Sequence, residues 1–173
     1  MQWFAWIEQT AIGLWVREAP TIWAFPFVLL LHTVGLAIVG GTGVILNAFA
    51  WRDPNAWQAG RVEPWFRFAW FGFAVNFVSG ILLLAAYPAK ALTNPVFYVK
   101  LLCVIAAMAQ LEWLRRQTGA TAYGDSAKTR VSPAALQRAI VFAVLMWAGA
   151  VFTGRFLAYT HTYLMAADMA RGY

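Results

Sequence analysis

Residues 19–51, APTIWAFPFVLLLHTVGLAIVGGTGVILNAFAW, hold no charged side chain between Glu18 and Arg52. A helix needs about 20 consecutive apolar residues to cross the hydrocarbon of a bilayer. The stretch therefore accommodates one membrane span with length to spare for tilt. Lipid offers no hydrogen-bond partners, so a spanning segment must satisfy its own backbone, which makes it helical. Pro20 and Pro26 fall near the start, where a missing backbone donor costs little.

The same pattern recurs downstream. Helical spans are predicted over about 22–48, 65–87, 95–115 and 133–160. Pro64 suits the first turn of the second span, and Tyr87-Pro88 ends it. The third follows a turn containing Asn94. Ser132 can cap the fourth, with Pro133 in its first position. Residues 119–133, rich in Gly, Ser, Thr and charge, read as a loop. Upstream, Trp3, Phe4, Trp6 and Ile7 alternate with Gln2, Glu8 and Gln9, so residues 2–17 read as a short amphipathic helix lying on the membrane surface. They lack the basic start and small-residue cleavage site of a secretory signal. The fold class is all-α: a four-helix integral membrane bundle in a single domain over 1–173, with an N-terminal interfacial helix.

Composition agrees with a lipid solvent. The chain is 62% hydrophobic and 12% charged, against roughly 25% charged in soluble domains. A chain of 173 residues has too much surface to hide that surplus in a water-soluble core. The formal charge of +6 lies between apolar runs rather than along one polar face, which argues against a nucleic-acid partner. Arg52, Arg61 and Arg67 separate the first two spans; Arg115, Arg116, Lys128, Arg130 and Arg138 separate the last two. Lys/Arg excess marks the cytoplasmic face, so both termini are expected on the outer side, which in a bacterium is the periplasmic face of the inner membrane. Cys103 stands alone, so no intrachain disulfide or cysteine cluster forms.

His32 is the most informative residue. It lies nine residues past Trp23, roughly 14 Å deep at 1.5 Å per residue, which predicts a ring near the bilayer midplane. An imidazole there must find a partner. One reading is a hydrogen bond to Asn76 or Ser79 on a neighbouring helix; the other is a ligand for haem iron or copper. Gly35, Gly40, Gly41 and Gly43 follow on the same helix and suit either close helix packing or a flat macrocycle. The predicted topology puts Lys100 and Arg155 in the outward half with His161. With His32 they are expected to converge on one polar region, where cations offset the burial cost of an anionic group such as a haem propionate. The alternative is that Lys100 and Arg155 snorkel to headgroups and that His161 is wet. Met165 and Met169 suit packing better than copper(I). Glu112 alone among the acids sits inside an apolar segment, so a carboxylate proton pathway is unsupported. No phosphate-binding glycine loop, HExxH, CxxCH or nucleophile elbow is present.

Several of these residues fall into short motifs. Trp23-Ala24-Phe25-Pro26, His32, Gly35, Gly40-Gly41, Asn94-Pro95-x-Phe97-x-x-Lys100 and Gly154-Arg155-x-x-Ala158-Tyr159 together resemble a family of uncharacterised bacterial four-helix membrane proteins. The resemblance covers roughly residues 3 to 160. More remotely the chain is similar to the HemJ and CopD class of small membrane bundles. In HemJ a histidine on the first main span and a lysine opening a later span are tied to b-type haem, and His32 and Lys100 fall on matching positions. The resemblance thus implies haem b binding at His32 and Lys100; in an electron-carrying reading His32 is one axial ligand and Lys100 or His161 the other. Relatives often carry aspartate where this chain has Asn47.

Three functions are compatible with these readings. The first is a haem protein passing electrons between a periplasmic redox partner and the quinone pool, with Gly35 beside the cofactor and Arg155 on its propionates. The second is a cofactor-free anchor or accessory subunit of a larger membrane complex or homo-oligomer. The third is copper handling of the CopD kind, with His32 and His161 as metal ligands.

Overall fold

The computed structural model describes residues 9–52, 59–122 and 132–170, with the backbone alone at 59–61, 90, 118–122, 133 and 158–170. The described residues form α1 (Ala11–Glu18), α2 (Phe25–Arg52), α3 (Ala59–Ala86), α4 (Pro88–Leu92), α5 (Pro95–Ala122) and α6 (Pro133–Ala170). Four segments within them are long and apolar enough to cross a bilayer: Phe25–Arg52, Val62–Ala86, Pro95–Gln117 and Ala134–Leu157. The chain is a multi-pass membrane bundle. Its outer surface carries large apolar side chains such as Leu30, Phe71, Leu102 and Phe152, for which acyl chains are the solvent.

Local chemistry sets the helix ends. Thr10 caps α1, its side chain accepting from Gly13 N at 3.2 Å, and Ser132 caps α6 by accepting from Ala135 N at 3.2 Å. The buried Asn94 accepts from Val96 N at 3.0 Å and opens α5. Of the amphipathic segment expected over 2–17, residues 1–8 lie outside the described ones. The remainder forms α1, which buries Gly13 and Val16 and leaves Ile12 and Trp15 exposed. Val16 packs with Val28 of α2 and Ala86 of α3, docking α1 at the end of the bundle where α2 begins.

Some boundaries differ from the sequence reading. α3 begins at Ala59, so Pro64 lies inside the helix rather than in its first turn. The junction read as a turn between the second and third spans winds into α4, with Pro88 in the first position, where its fixed φ favours helix. Tyr98 Oη donates to Leu92 O at 2.9 Å and ties α4 to α5. α6 runs to Ala170, ten residues past the span end read at 160, about 15 Å at 1.5 Å per residue.

Apolar association carries little driving force between helices in lipid, so close van der Waals packing at small residues decides the assembly. α2 and α3 run antiparallel and interlock at two glycines. A Cβ on Gly35 would lie 2.6 Å from Asn76 N, and one on Gly72 would lie 2.5 Å from Ile38 Cγ2 and 2.9 Å from Val39 N. α6 meets α2 where the Trp147 indole covers Gly40 and Gly43, and α5 meets α6 where Cys103 Sγ sits over Gly149. Gly41 is exposed, and a methyl placed on it would meet nothing within 4 Å. The main core, in the half of the bundle towards Arg52 and Arg115, gathers Val39, Leu46, Phe66, Met108, Leu111 and Trp147.

Candidate functional site

α2 and α5 occupy opposite corners of the bundle and run parallel, and two polar links join them. The one nearer the start of α2 begins at His32. Its Nε2 lies 3.1 Å from Lys100 Nζ. An ammonium has hydrogens and no lone pair, so it donates and Nε2 accepts. The ring proton is therefore on Nδ1, which donates to Asn76 O at 3.0 Å and lies 3.2 Å from Ser79 Oγ. Asn76 Nδ2 donates in turn to His32 O at 2.7 Å. Each side chain thus satisfies the other's backbone carbonyl, a reciprocal clamp across the Gly35–Gly72 crossing. Ser79 donates back to Val75 O at 2.6 Å.

Glycines on the remaining two helices make room for this diagonal pair. A methyl on Gly80 of α3 would lie 3.2 Å from His32 Cε1, and one on Gly154 of α6 would lie 3.8 Å from Lys100 Cε. All four long helices therefore shape the site. Lys100 has His32 as its one hydrogen-bond partner among the described residues, leaving two ammonium hydrogens free for an acceptor.

The site lies towards the end of α2 against which α1 docks. His32 is seven residues, about 10 Å, past the start of α2, whose 28 residues span about 42 Å. The centre of α2 lies near residue 38, so the ring sits about 10 Å from mid-helix, towards Phe25. The helix starts later and ends later than the span read from Trp23. Lys100 is five residues into α5 at the same end.

Other expected participants are placed differently. Gly35 is a helix contact: the space above it is taken by the Asn76 backbone, not by a slot for a cofactor. Arg155 follows Gly154 on α6 but is exposed and makes no ion pair among the described residues; it stands outside the His32–Lys100 cluster. His161 lies on the α6 backbone two turns beyond Gly154, and its side chain is outside the described residues, as are those of Met165 and Met169. Among the described residues no three His, Cys, Asp or Glu side chains gather as a metal site. Cys103 is buried against Gly149.

The inner link has no counterpart in the sequence reading. Gln110 Nε2 donates to Asn47 Oδ1 at 2.8 Å, and Asn47 Nδ2 donates to Gly43 O at 2.8 Å. Both are buried, Asn47 at 1% and Gln110 at 8% exposure. The available signal was a lone amide in the apolar run 95–114, which in lipid requires a partner at its own depth. Beyond it, Glu112 binds Arg115 Nε at 2.9 Å and Arg116 Nε at 3.1 Å, closing the basic end of the bundle with a charge-assisted cluster.

Haem or a single metal ion fits the donor chemistry and strains the observed spacing. Two nitrogen donors face each other from opposite corners. Two nitrogens on opposite sides of one metal would lie about 4 Å apart, twice a metal–nitrogen bond of ~2.0–2.1 Å, so for that arrangement the 3.1 Å contact would open by about 1 Å. Comparisons with protein-family models, with curated proteins and with solved structures return no match, so the likeness to HemJ- and CopD-type bundles rests on the quoted motifs alone.

Proposed function

We propose that the protein is a haem b-binding component of the bacterial inner membrane, carrying electrons between a periplasmic redox partner and the quinone pool, with His32 as an axial ligand. The observation that supports this reading is the orientation of the imidazole. Its Nδ1–H is fixed on a backbone carbonyl and its Nε2 lone pair faces the bundle interior. Metal-ligating histidines are held in this way: the hydrogen bond at one nitrogen sets the tautomer and raises the basicity of the other.

Lys100, or His161 from the outward extension of α6, is the candidate for the second position. Lys100 must give up a proton to serve, and without a cofactor it instead donates to Nε2 and keeps the lone pair satisfied. Haem supplies one-electron chemistry when bound, its potential set by ligand identity, burial and hydrogen bonding. The chain's own part is to fix the ring through Asn76 and Ser79 and to keep Gly80 and Gly154 free of side chains beside the donor pair. The cluster at Arg52, Arg67, Arg115 and Arg116 favours a cytoplasmic location for that end and a periplasmic one for the site.

A reduced-minus-oxidised absorption spectrum of protein purified from haem-replete cells tests the reading. A b-type difference spectrum that His32→Ala abolishes is the expected result; colourless wild-type protein refutes it.

The cofactor-free accessory subunit is the second reading. It is favoured by the closed 3.1 Å contact and by the ring filling the space over Gly80. Extraction in mild detergent separates the two, because an accessory subunit co-purifies with its complex and stays colourless. Copper handling has less support, since Cys103 is turned into the α5–α6 contact.

A further inference from the structure

At the basic end of the bundle a groove of about 410 Å³ opens between α3 and α5, lined by Glu63, Phe66, Arg67, Trp70 and Arg115. The four α3 residues recur at i, i+3, i+4 and i+7, one stripe of that helix. Phe66 is buried and forms the floor, while Trp70 is 44% exposed and forms the wall further into the membrane. The groove is thus charged at its mouth and apolar along its depth.

The mouth carries charges of both signs: among the described residues Arg115 meets Glu63 and Glu112, and Arg116 meets Glu112. Glu112 takes Arg115 through Nε at 2.9 Å and Nη2 at 3.1 Å. Arg115 Nη1 lies 3.6 Å from Glu63 Oε1. Arg67 is exposed and makes no ion pair or hydrogen bond among the described residues. It lies one turn along α3 from Glu63, near the basic end of the helix, from where a long side chain reaches the headgroup level.

We infer that this groove is a binding site for one anionic phospholipid. Arg67 and Arg115 hold the phosphodiester, and an acyl chain lies along Phe66 and Trp70. A guanidinium fork matches a phosphodiester in shape and charge. An indole beside it suits the boundary between headgroup and chain. Basic pockets between transmembrane helices take anionic headgroups for these reasons. The inference does not depend on haem binding or on the role of His32.

Native mass spectrometry of the detergent-purified protein, titrated with phosphatidylglycerol or phosphatidylcholine, tests it. Wild type is expected to retain one phosphatidylglycerol at least about fivefold more tightly than phosphatidylcholine, the scale of one basic residue at a charged surface. Arg67→Gln should lose that preference, and Trp70→Leu should weaken both lipids. Arg138→Gln, at the same end on exposed α6, should change neither, and unaltered melting temperatures show that the variants fold. Equal retention of the two lipids, or an equal loss in Arg138→Gln, overturns the site. Displacement by soluble glycerol 3-phosphate overturns the lipid assignment in favour of a free phosphate. A dimer that Arg67→Gln dissociates overturns it in favour of a second copy of the chain.

Discussion

Replacing Gly35 by alanine adds one methyl at the place where α2 and α3 come nearest. That carbon would lie 2.6 Å from Asn76 N and 2.9 Å from both Asn76 Cα and Gly72 O. These are backbone atoms and cannot swing aside as a flexible side chain would. Ordinary contact requires the helices to part by about 1 Å at the crossing. The reciprocal clamp spans the same gap. A 1 Å separation stretches Asn76 Nδ2–His32 O from 2.7 Å, and His32 Nδ1–Asn76 O from 3.0 Å, beyond the range of a hydrogen bond. Two hydrogen bonds at about 0.5–1.5 kcal/mol each and overpacking at about 1–3 kcal/mol give an expected loss of roughly 2–6 kcal/mol. Reversible unfolding in mixed micelles, followed by tryptophan fluorescence, measures it. Gly41→Ala is the matched control, because the same methyl there meets nothing within 4 Å. It should be neutral or gain up to about 1 kcal/mol from helix propensity. If the two variants unfold within about 0.5 kcal/mol of each other, the crossing does not hold the clamp.

The inner link makes a double-mutant prediction: Asn47→Leu alone should cost about 1–3 kcal/mol by stranding the Gln110 amide, and adding Gln110→Leu should recover most of it. A second substitution that adds its own full penalty would show that the amides are not partners. The tautomer assigned to His32 is accessible to ¹⁵N NMR of labelled protein without cofactor, where Nδ1 should carry the proton; a signal for protonated Nε2 would reverse the donor assignment. Lys100→Met should leave that tautomer in place, because Asn76 O still accepts from Nδ1, but should free Nε2. Ferric haem added in detergent should then still bind through His32. Failure of Lys100→Met to bind haem, with His161 intact and wild type loaded, would assign the second position to Lys100.

The spans were legible because lipid leaves so little choice: an uncharged run from 19 to 51 holds one helix. The partners of His32 were legible for a related reason, since a ring at membrane depth must be satisfied and Asn76 and Ser79 were the polar residues on the next span. The bounds of its helix were less so. Counting from Trp23 starts at an interface marker, whereas the hydrogen-bonded helix begins at Phe25 and continues to Arg52. α4 escaped because a proline after a tyrosine reads as a stop, while here it also restarts the helix. The Asn47–Gln110 link and the exposure of Arg155 depend on which helices lie diagonally and on how each is rotated. Neither is a property of one segment, and hydrophobic periodicity is nearly absent in helices that are apolar all round. The glycines illustrate the same limit: Gly35, Gly41 and Gly43 look alike in sequence, yet one meets backbone, one meets nothing and one meets an indole.

A frame with a strut from corner to corner deforms differently from one braced only along its sides. The two rungs between α2 and α5 are separated by 15 residues on α2, about 22 Å. Prising the outer rung apart by 1 Å while the inner amides stay joined tilts the two parallel helices by only about 2–3°, from that lever arm. The inner rung then acts as a fulcrum, and whatever enters between His32 and Lys100 is felt at the far end as a change of angle rather than of separation.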